Sequence, residues 1–291
     1  MADLLQLLLA GLATGAIYAL VAVGFTLLWQ TSQTINFAQG EFVMVPAFFM
    51  LAAMQAGLPF PVAILVGLLA SLLILGILFK KLLVDPMLRH GVLPLVIATI
   101  ALGVFLKESV KEVFGAEAQP FPSLVPATDL NVFGAVIALQ DLVVLVVAVV
   151  AVAALQLFLA RTRTGRQMQA TAQNSTVARI LGIPVERMVL YTFLTNAGFV
   201  ALASLLITPV YLAKFSSGET LGLVAFIAAI VGGFNQVRGA IAGGFLVGIV
   251  DNVVAAYVTA QYRNALPLVL LIAVILFRPQ GLLGRAEERT V

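Results

Sequence analysis

Long apolar runs separated by short polar stretches organise this chain. Nine runs stand out, at 4–29, 41–56, 60–80, 92–114, 141–160, 188–210, 220–237, 240–262 and 265–277. A helix needs about 20 apolar residues to cross a bilayer. Most runs approach or exceed that length, whereas 41–56 and 265–277 are short, so the pattern reads as eight or nine spans. None shows the strict alternation of a barrel strand, and backbone groups in lipid must find partners within their own segment. The pattern therefore predicts helices, in an all-α polytopic membrane protein.

Composition strengthens this reading. Of 291 residues, 62% are hydrophobic and 10% charged, against about 25% charged in soluble domains. Such a chain cannot cover a water-facing surface, so most of it must face lipid or other helices. The net charge of +3 gives no reason to expect nucleic acid, because basic residues of membrane proteins mark cytoplasmic loops. There is no cysteine, hence no disulfide and no thiolate chemistry. The first run, Leu4 to Leu28, exceeds a signal-peptide core and is expected to be a retained span.

The basic residues set an expected orientation. Segment 161–187 carries Arg161, Arg163, Arg166, Arg179 and Arg187 against Glu186 alone. Segment 80–91 carries Lys80, Lys81 and Arg89, and the tail Arg278, Arg285 and Arg289. With these three segments and Arg238 inside, twelve basic residues are cytoplasmic and four, Lys107, Lys111, Lys214 and Arg263, are not. This asymmetry predicts the N-terminus outside and the C-terminus inside.

Two polar breaks nearly match. Residues 36–41 read N-F-A-Q-G-E and residues 214–219 read K-F-S-S-G-E. Leu93-Pro94-Leu95-Val96 recurs as Leu266-Pro267-Leu268-Val269, and Val66-Gly67 as Val247-Gly248. The offsets of 178, 181 and 173 keep the same order. They describe two inverted repeats of about four helices, about 4–114 and 188–284, joined by a linking span at 141–160 within a single domain, 1–291. Inverted repeats recur among transporters, with substrate sites where helices are interrupted near the midplane. Each F-x-x-G-E is such an interruption. Glycine allows unusual backbone angles, and an acid in a first helical turn complements the helix dipole. The candidate pathway residues are Asn36, Gln39, Gly40 and Glu41, then Ser216, Ser217, Gly218 and Glu219, together with Asp251, an acid inside an apolar run. Each motif alone also reads as a simple helix cap, and Asp251, like Thr195 and Asn196, as an interhelical polar contact.

No catalytic set is visible. His90 is the only histidine and lies in a basic stretch, no cluster of metal-ligating residues occurs, and no G-x-x-x-x-G-K-[ST] is present. The chain is therefore expected to be no enzyme, with no metal and no cofactor of its own. Trp29 reads as an interfacial anchor. The glycine pairs Gly11/Gly15, Gly239/Gly243 and Gly244/Gly248 suit close helix packing within the chain. Segment 161–187 differs from the rest: residues 166–181 read as one amphipathic helix, with Met168, Ala172, Val177 and Leu181 near helical spacing, stopped by Gly182 and Pro184. It suits either the anionic inner leaflet or a groove on a cytoplasmic partner.

Several blocks carry a family resemblance. They are G-L-A-T-G-A-I-Y-A-L-V-A-V-G-F-T-L-L-W at 11–29, I-N-F-A-Q-G-E-F at 35–42, G-R-Q-M-Q-A-T-A-Q-N at 165–174, L-G-I-P at 181–184, A-A-I-V-G-G-F at 228–234 and G-A-I-A-G-G-F-L-V-G at 239–248. The chain resembles the membrane permeases of ABC importers for branched-chain amino acids, specifically the H-type subunit of the Liv (hydrophobic amino acid uptake) family. The resemblance implies a subunit of the bacterial inner membrane that moves hydrophobic amino acids, or a related small solute such as urea or amides, by alternating access. It implies cytoplasmic ATP-binding subunits that hold ATP and Mg, a second permease in a heterodimer, and an extracytoplasmic solute-binding protein. It also implies that 161–187 is the ATPase-coupling loop, with Arg166, Gln169, Ala170, Asn174, Arg179, Gly182 and Pro184 as candidate contacts. Gln169-Ala170-Thr171-Ala172 stands where an acid-containing run is common in the family. The competing reading is a stand-alone secondary transporter or channel for a small neutral solute, which inverted repeats would fit equally.

Overall fold

The computed structural model describes residues 2–126, 128–132, 135–257 and 265–284. Its elements are α1 (Ala2–Ser32), α2 (Gln39–Gln55), α3 (Phe60–Ser71), a π-helical segment (Leu72–Val84), α4 (Asp85–Leu88), α5 (Val92–Phe114), β1 (Asp129–Val132), β2 (Ala135–Ala138), α6 (Leu139–Arg161), α7 (Arg163–Gln173), α8 (Ser175–Ile180), α9 (Val185–Tyr211), α10 (Ser217–Gly232), α11 (Val237–Tyr257) and α12 (Ala265–Phe277). The chain is a polytopic, predominantly helical membrane protein. Among the described residues, six helices are long and apolar enough to cross a bilayer: Leu4–Ser32, Phe60–Leu88, Val92–Phe114, Leu139–Arg161, Val185–Tyr211 and Val237–Tyr257. Helices α2, α10 and α12 are shorter, at 17, 16 and 13 residues. Residues 258–262 of the eighth apolar run lie outside the described residues, as do Arg263, Arg285 and Arg289.

Three local departures from the expected pattern have physical causes. The stretch beginning at Lys80 is not loop, because the helix that starts at Phe60 continues to Leu88 through the π-helical segment. Its wider winding aligns residues five apart. Lys80, nearly buried, thereby reaches both carboxylate oxygens of Asp85 at 2.8 Å. A short antiparallel hairpin also interrupts the all-helical plan, with Asp129 opposite Ala138 and Leu130 opposite Ile137. Finally, the amphipathic helix expected over 166–181 is two helices, parted at Asn174. That residue is extended (φ −157°, ψ 100°), and its Oδ1 accepts from the Val177 N–H at 3.0 Å. An asparagine side chain that caps the next helix competes with continuing the previous one.

The chain divides into two compact units. One comprises residues 27–122 and 149–222, the other residues 1–26, 123–148 and 223–291. In the first, α2 is buried along nearly its whole length, as expected of a helix surrounded by others rather than by lipid. It packs against α3, α5 and α9. Phe42 meets Phe79 edge-on at 4.8 Å between centroids, and Phe79 meets Phe193 at 5.8 Å. In the second unit α1 and α11 approach through glycine. A Cβ on Gly11 would lie 2.9 Å from the Ile249 Cα, and one on Gly15 2.8 Å from the Phe245 Cα. Gly239 likewise abuts Gly232, and Gly243 abuts Ala228. The glycine pairs thus serve packing within the chain. Large apolar side chains such as Leu82, Phe105 and Leu157 stay exposed on the long helices, where lipid is the natural neighbour.

Candidate functional site

The two F-x-x-G-E motifs enter their helices in the same way. Helix α1 ends at Ser32 and is followed by Gln33 at φ 51°; α9 ends at Tyr211 and is followed by Leu212 at φ 64°. These are the only non-glycine residues with positive φ among those described. A turn then closes on the new helix, with Gln39 N–H donating to the Asn36 carbonyl at 3.2 Å and Ser217 N–H to the Lys214 carbonyl at 3.1 Å. In both cases the helix starts at the residue before the motif glycine. The recurring Leu-Pro pairs both lie in helices, Pro94 as the third residue of α5 and Pro267 near the beginning of the described part of α12. Proline is tolerated in a first turn, where its missing N–H is not needed.

Both motifs meet inside the first unit. Gly40 lies against the carbonyl of Gly218 and the Cα of Gly222, so a Cβ there would clash with backbone. Gly218 and Gly222 are one turn apart on α10 and present one glycine face to α2. A Cβ on Gly218 would lie 2.8 Å from the Gly40 carbonyl oxygen and would meet the Glu41 carboxylate. Two helix N-termini, 178 residues apart in sequence, are therefore in backbone contact.

Three side-chain amides consolidate the first motif. Asn36, Gln39 and Asn196 are buried. Gln39 Nε2 donates to Asn196 Oδ1 at 2.7 Å, and Asn196 Nδ2 returns a bond to Gln39 Oε1 at 3.1 Å. Asn36 Nδ2 donates to the same Oε1 at 3.3 Å, while its Oδ1 accepts from the Ala38 N–H at 3.1 Å. The Phe37 N–H donates to the Thr99 hydroxyl at 3.3 Å. Burying amides requires such mutual satisfaction, and it fixes the turn before α2.

Glu41 is different. It is 7% exposed, its Oε2 is buried, and neither carboxylate oxygen has a hydrogen-bond donor among the described residues. Across from it on α5, a Cβ on Gly103 would lie 3.7 Å from the Glu41 Cγ. One turn further along α5, Lys107 Nζ donates to Glu219 Oε2 at 2.7 Å. Ser216 is exposed and Ser217 half-buried at the mouth of α10. Asp251 is not part of this cluster. It belongs to the other unit, nearly fully buried, where its Oδ2 accepts from the Tyr18 hydroxyl at 3.2 Å, linking α11 to α1.

The structure exposes most of the candidate coupling residues. Arg166, Gln169, Asn174, Arg179, Gly182 and Pro184 are exposed and Ala170 is half-buried. Gly165, Met168, Thr171 and Ala178 form the buried side, while Val177, Ile180 and Leu181 are exposed. Thr162 Oγ1 caps α7 by accepting from the Gly165 N–H at 2.9 Å. At the other end, Gly182 (φ +78°) donates to the Arg179 carbonyl and Ile183 N–H to the Ala178 carbonyl, both at 3.0 Å. This is a Schellman ending, for which glycine is the favoured residue, and Pro184 then caps α9.

Comparison with known proteins places this geometry in a family. Residues 7–275 match the family model described as branched-chain amino acid transport system / permease component. The chain belongs to that family of permease components. It is 32% identical over 302 residues to BraD of Pseudomonas aeruginosa, a high-affinity branched-chain amino acid transport system permease protein, covering 99% of this chain and 98% of that one. To LivH of Escherichia coli K12, described in the same words, identity is 30% over 301 residues, covering 99% and 97%. A probable branched-chain amino acid transport permease, LivH of Methanocaldococcus jannaschii, is 26% identical over 290 residues, covering 91% and 88%. These relatives are transport permease components rather than enzymes.

Sequence reasoning missed two parts of the site. Lys107 registered only as an external charge, although Gly103 and Lys107 share one face of α5, the glycine lying beside Glu41 and the lysine reaching Glu219. Asn196 was recognised as polar within a span, but its partnership with Gln39 has no signal in the sequence.

Proposed function

We propose that this chain is the membrane-spanning permease subunit of an ATP-binding-cassette importer. It moves branched-chain or other hydrophobic amino acids across the bacterial inner membrane by alternating access. The supporting observation is the meeting of two F-x-x-G-E helix starts through Gly40, Gly218 and Gly222 in a chain of this family. A glycine-to-glycine contact lets backbones approach, slide and part with little side-chain obstruction, which suits a moving junction.

In this reading the halves about 4–114 and 188–284 are inverted repeats, each contributing one motif, with 141–160 as the linking span. The similar entries into α2 and α10 and the Leu-Pro pairs within α5 and α12 support that pairing. The nine apolar helical stretches comprise eight or nine spans. Asn36, Gln39, Gly40, Glu41 and Ser216 to Glu219 flank the path, with Asp251 a further candidate. ATP and Mg are held by partner subunits, against which the exposed surface of α7 and α8 docks. A second permease completes a heterodimer, and a solute-binding protein delivers substrate from outside. The N-terminus lies outside and the C-terminus in the cytoplasm. Partner ATPases can drive transport only if their ATP-bound form favours one permease conformation.

Labelled leucine uptake into proteoliposomes holding the purified assembly, with and without trapped ATP, tests the proposal. Uptake that requires ATP and the partner subunits is expected. Uptake by this chain alone without ATP would establish the stand-alone transporter instead.

A further inference from the structure

Glu41 is a buried acid without a hydrogen-bond donor, placed where two helix starts meet. Such a group is costly unless something pairs with it at some stage of function. Lys107 lies one turn beyond the glycine that faces Glu41, and its ammonium is held by Glu219 at 2.7 Å rather than by Glu41. Glu219 is 70% exposed at its side chain and Lys107 27%. An ion pair this exposed to solvent contributes little net stability and is readily exchanged. The two groups thus differ in kind: a buried, unpartnered carboxyl inside, and an ammonium on a flexible stem at the edge.

We infer that Glu41 and Lys107 form a recognition station for a zwitterion, Glu41 taking the ammonium of an α-amino acid and Lys107 its carboxylate. The inference rests on the proposed import function and narrows its substrate class. A neutral solute such as an amide or urea carries no ammonium to satisfy Glu41. Opening the Gly40–Gly218 junction gives the ammonium access to the Glu41 oxygens. Lys107 then exchanges the Glu219 carboxylate for that of the substrate, and the first-turn N–H groups of α10 add further donors. A site built around a buried, unpartnered acid discriminates against ligands lacking the complement, because binding them leaves that group unpaired. Closing restores the Lys107–Glu219 pair and expels the substrate from the station. No covalent step is involved.

The test uses the intact reconstituted importer with leucine-loaded binding protein at saturation, which removes selectivity at the delivery step. Two rates are read, leucine uptake and the ATPase activity stimulated by the loaded binding protein. Glu41→Gln keeps the side-chain shape, and Lys107→Met keeps the stem. Each is expected to lower maximal leucine uptake at least tenfold while the stimulated ATPase rate stays within twofold and the assembly still co-purifies. Glu41→Asp is expected to recover part of the uptake, and Glu108→Gln, exposed on the same helix, to change neither rate. Unchanged uptake in Glu41→Gln, or an equal fall of uptake and ATPase rate, would overturn the inference. Absence of leucine uptake by the unaltered importer would instead defeat the import function itself.

Discussion

Gly40 shows how much of this protein turns on single atoms. A Cβ at that position would run into the carbonyl of Gly218. Gly40→Ala is expected to cost about 1–3 kcal/mol, as overpacking does, and to abolish uptake. Gly198→Ala, where a Cβ meets nothing within 4 Å, is expected to leave uptake and thermal stability intact. Equal behaviour of the two variants in an uptake assay and a detergent melting curve would refute the junction. The amide pair makes a second case. Asn196→Leu strands the buried Gln39 amide, so a loss of about 1–3 kcal/mol is expected, seen as a melting temperature lowered by several degrees. A melting temperature unchanged from wild type would mean that the pair carries no stability. At this scale the motif residues were legible, because glycine and glutamate interrupt an apolar run twice. Their partners were not. Nothing in a one-dimensional pattern says that Lys107 leans toward Glu219, or that Asn196 and Gln39 face each other 157 residues apart.

Helices follow from the apolar runs, and their ends follow less well. The stop at Gly182 was legible, because glycine followed by proline has a specific backbone meaning, whereas α9 starts at Val185, ahead of the apolar run at 188. The break at Asn174 was not, because the same asparagine can sit in a helix or cap the next one. The π-helical stretch Leu72–Val84 was equally hidden: an apolar run looks alike whether its hydrogen bonds span four residues or five. The surface that α7 and α8 expose, including Ile180 and Leu181, belongs to the proposed ATPase contact. Gly182→Asp places a charge and a strained residue at φ +78° beside that surface. It is expected to abolish ATP-driven uptake while the protein still inserts normally in membranes. Normal uptake by this variant would remove α7 and α8 from the coupling role.

Over the whole chain, composition alone indicates a membrane protein, and the match across residues 7–275 makes it a permease component. The orientation rests on charge asymmetry, so a reporter fused to the C-terminus is expected to be active only when it functions in the cytoplasm. Activity only outside the cell would reverse it. The central claim is that this chain works as one subunit of an ATP-driven assembly, and one measurement addresses it directly. The tagged chain is drawn from native membranes in mild detergent, and the proteins that accompany it are identified. The account predicts an ATPase with a phosphate-binding loop and a second, homologous permease in stoichiometric amounts. Recovery of the chain alone, still moving solute in liposomes without ATP, would contradict it.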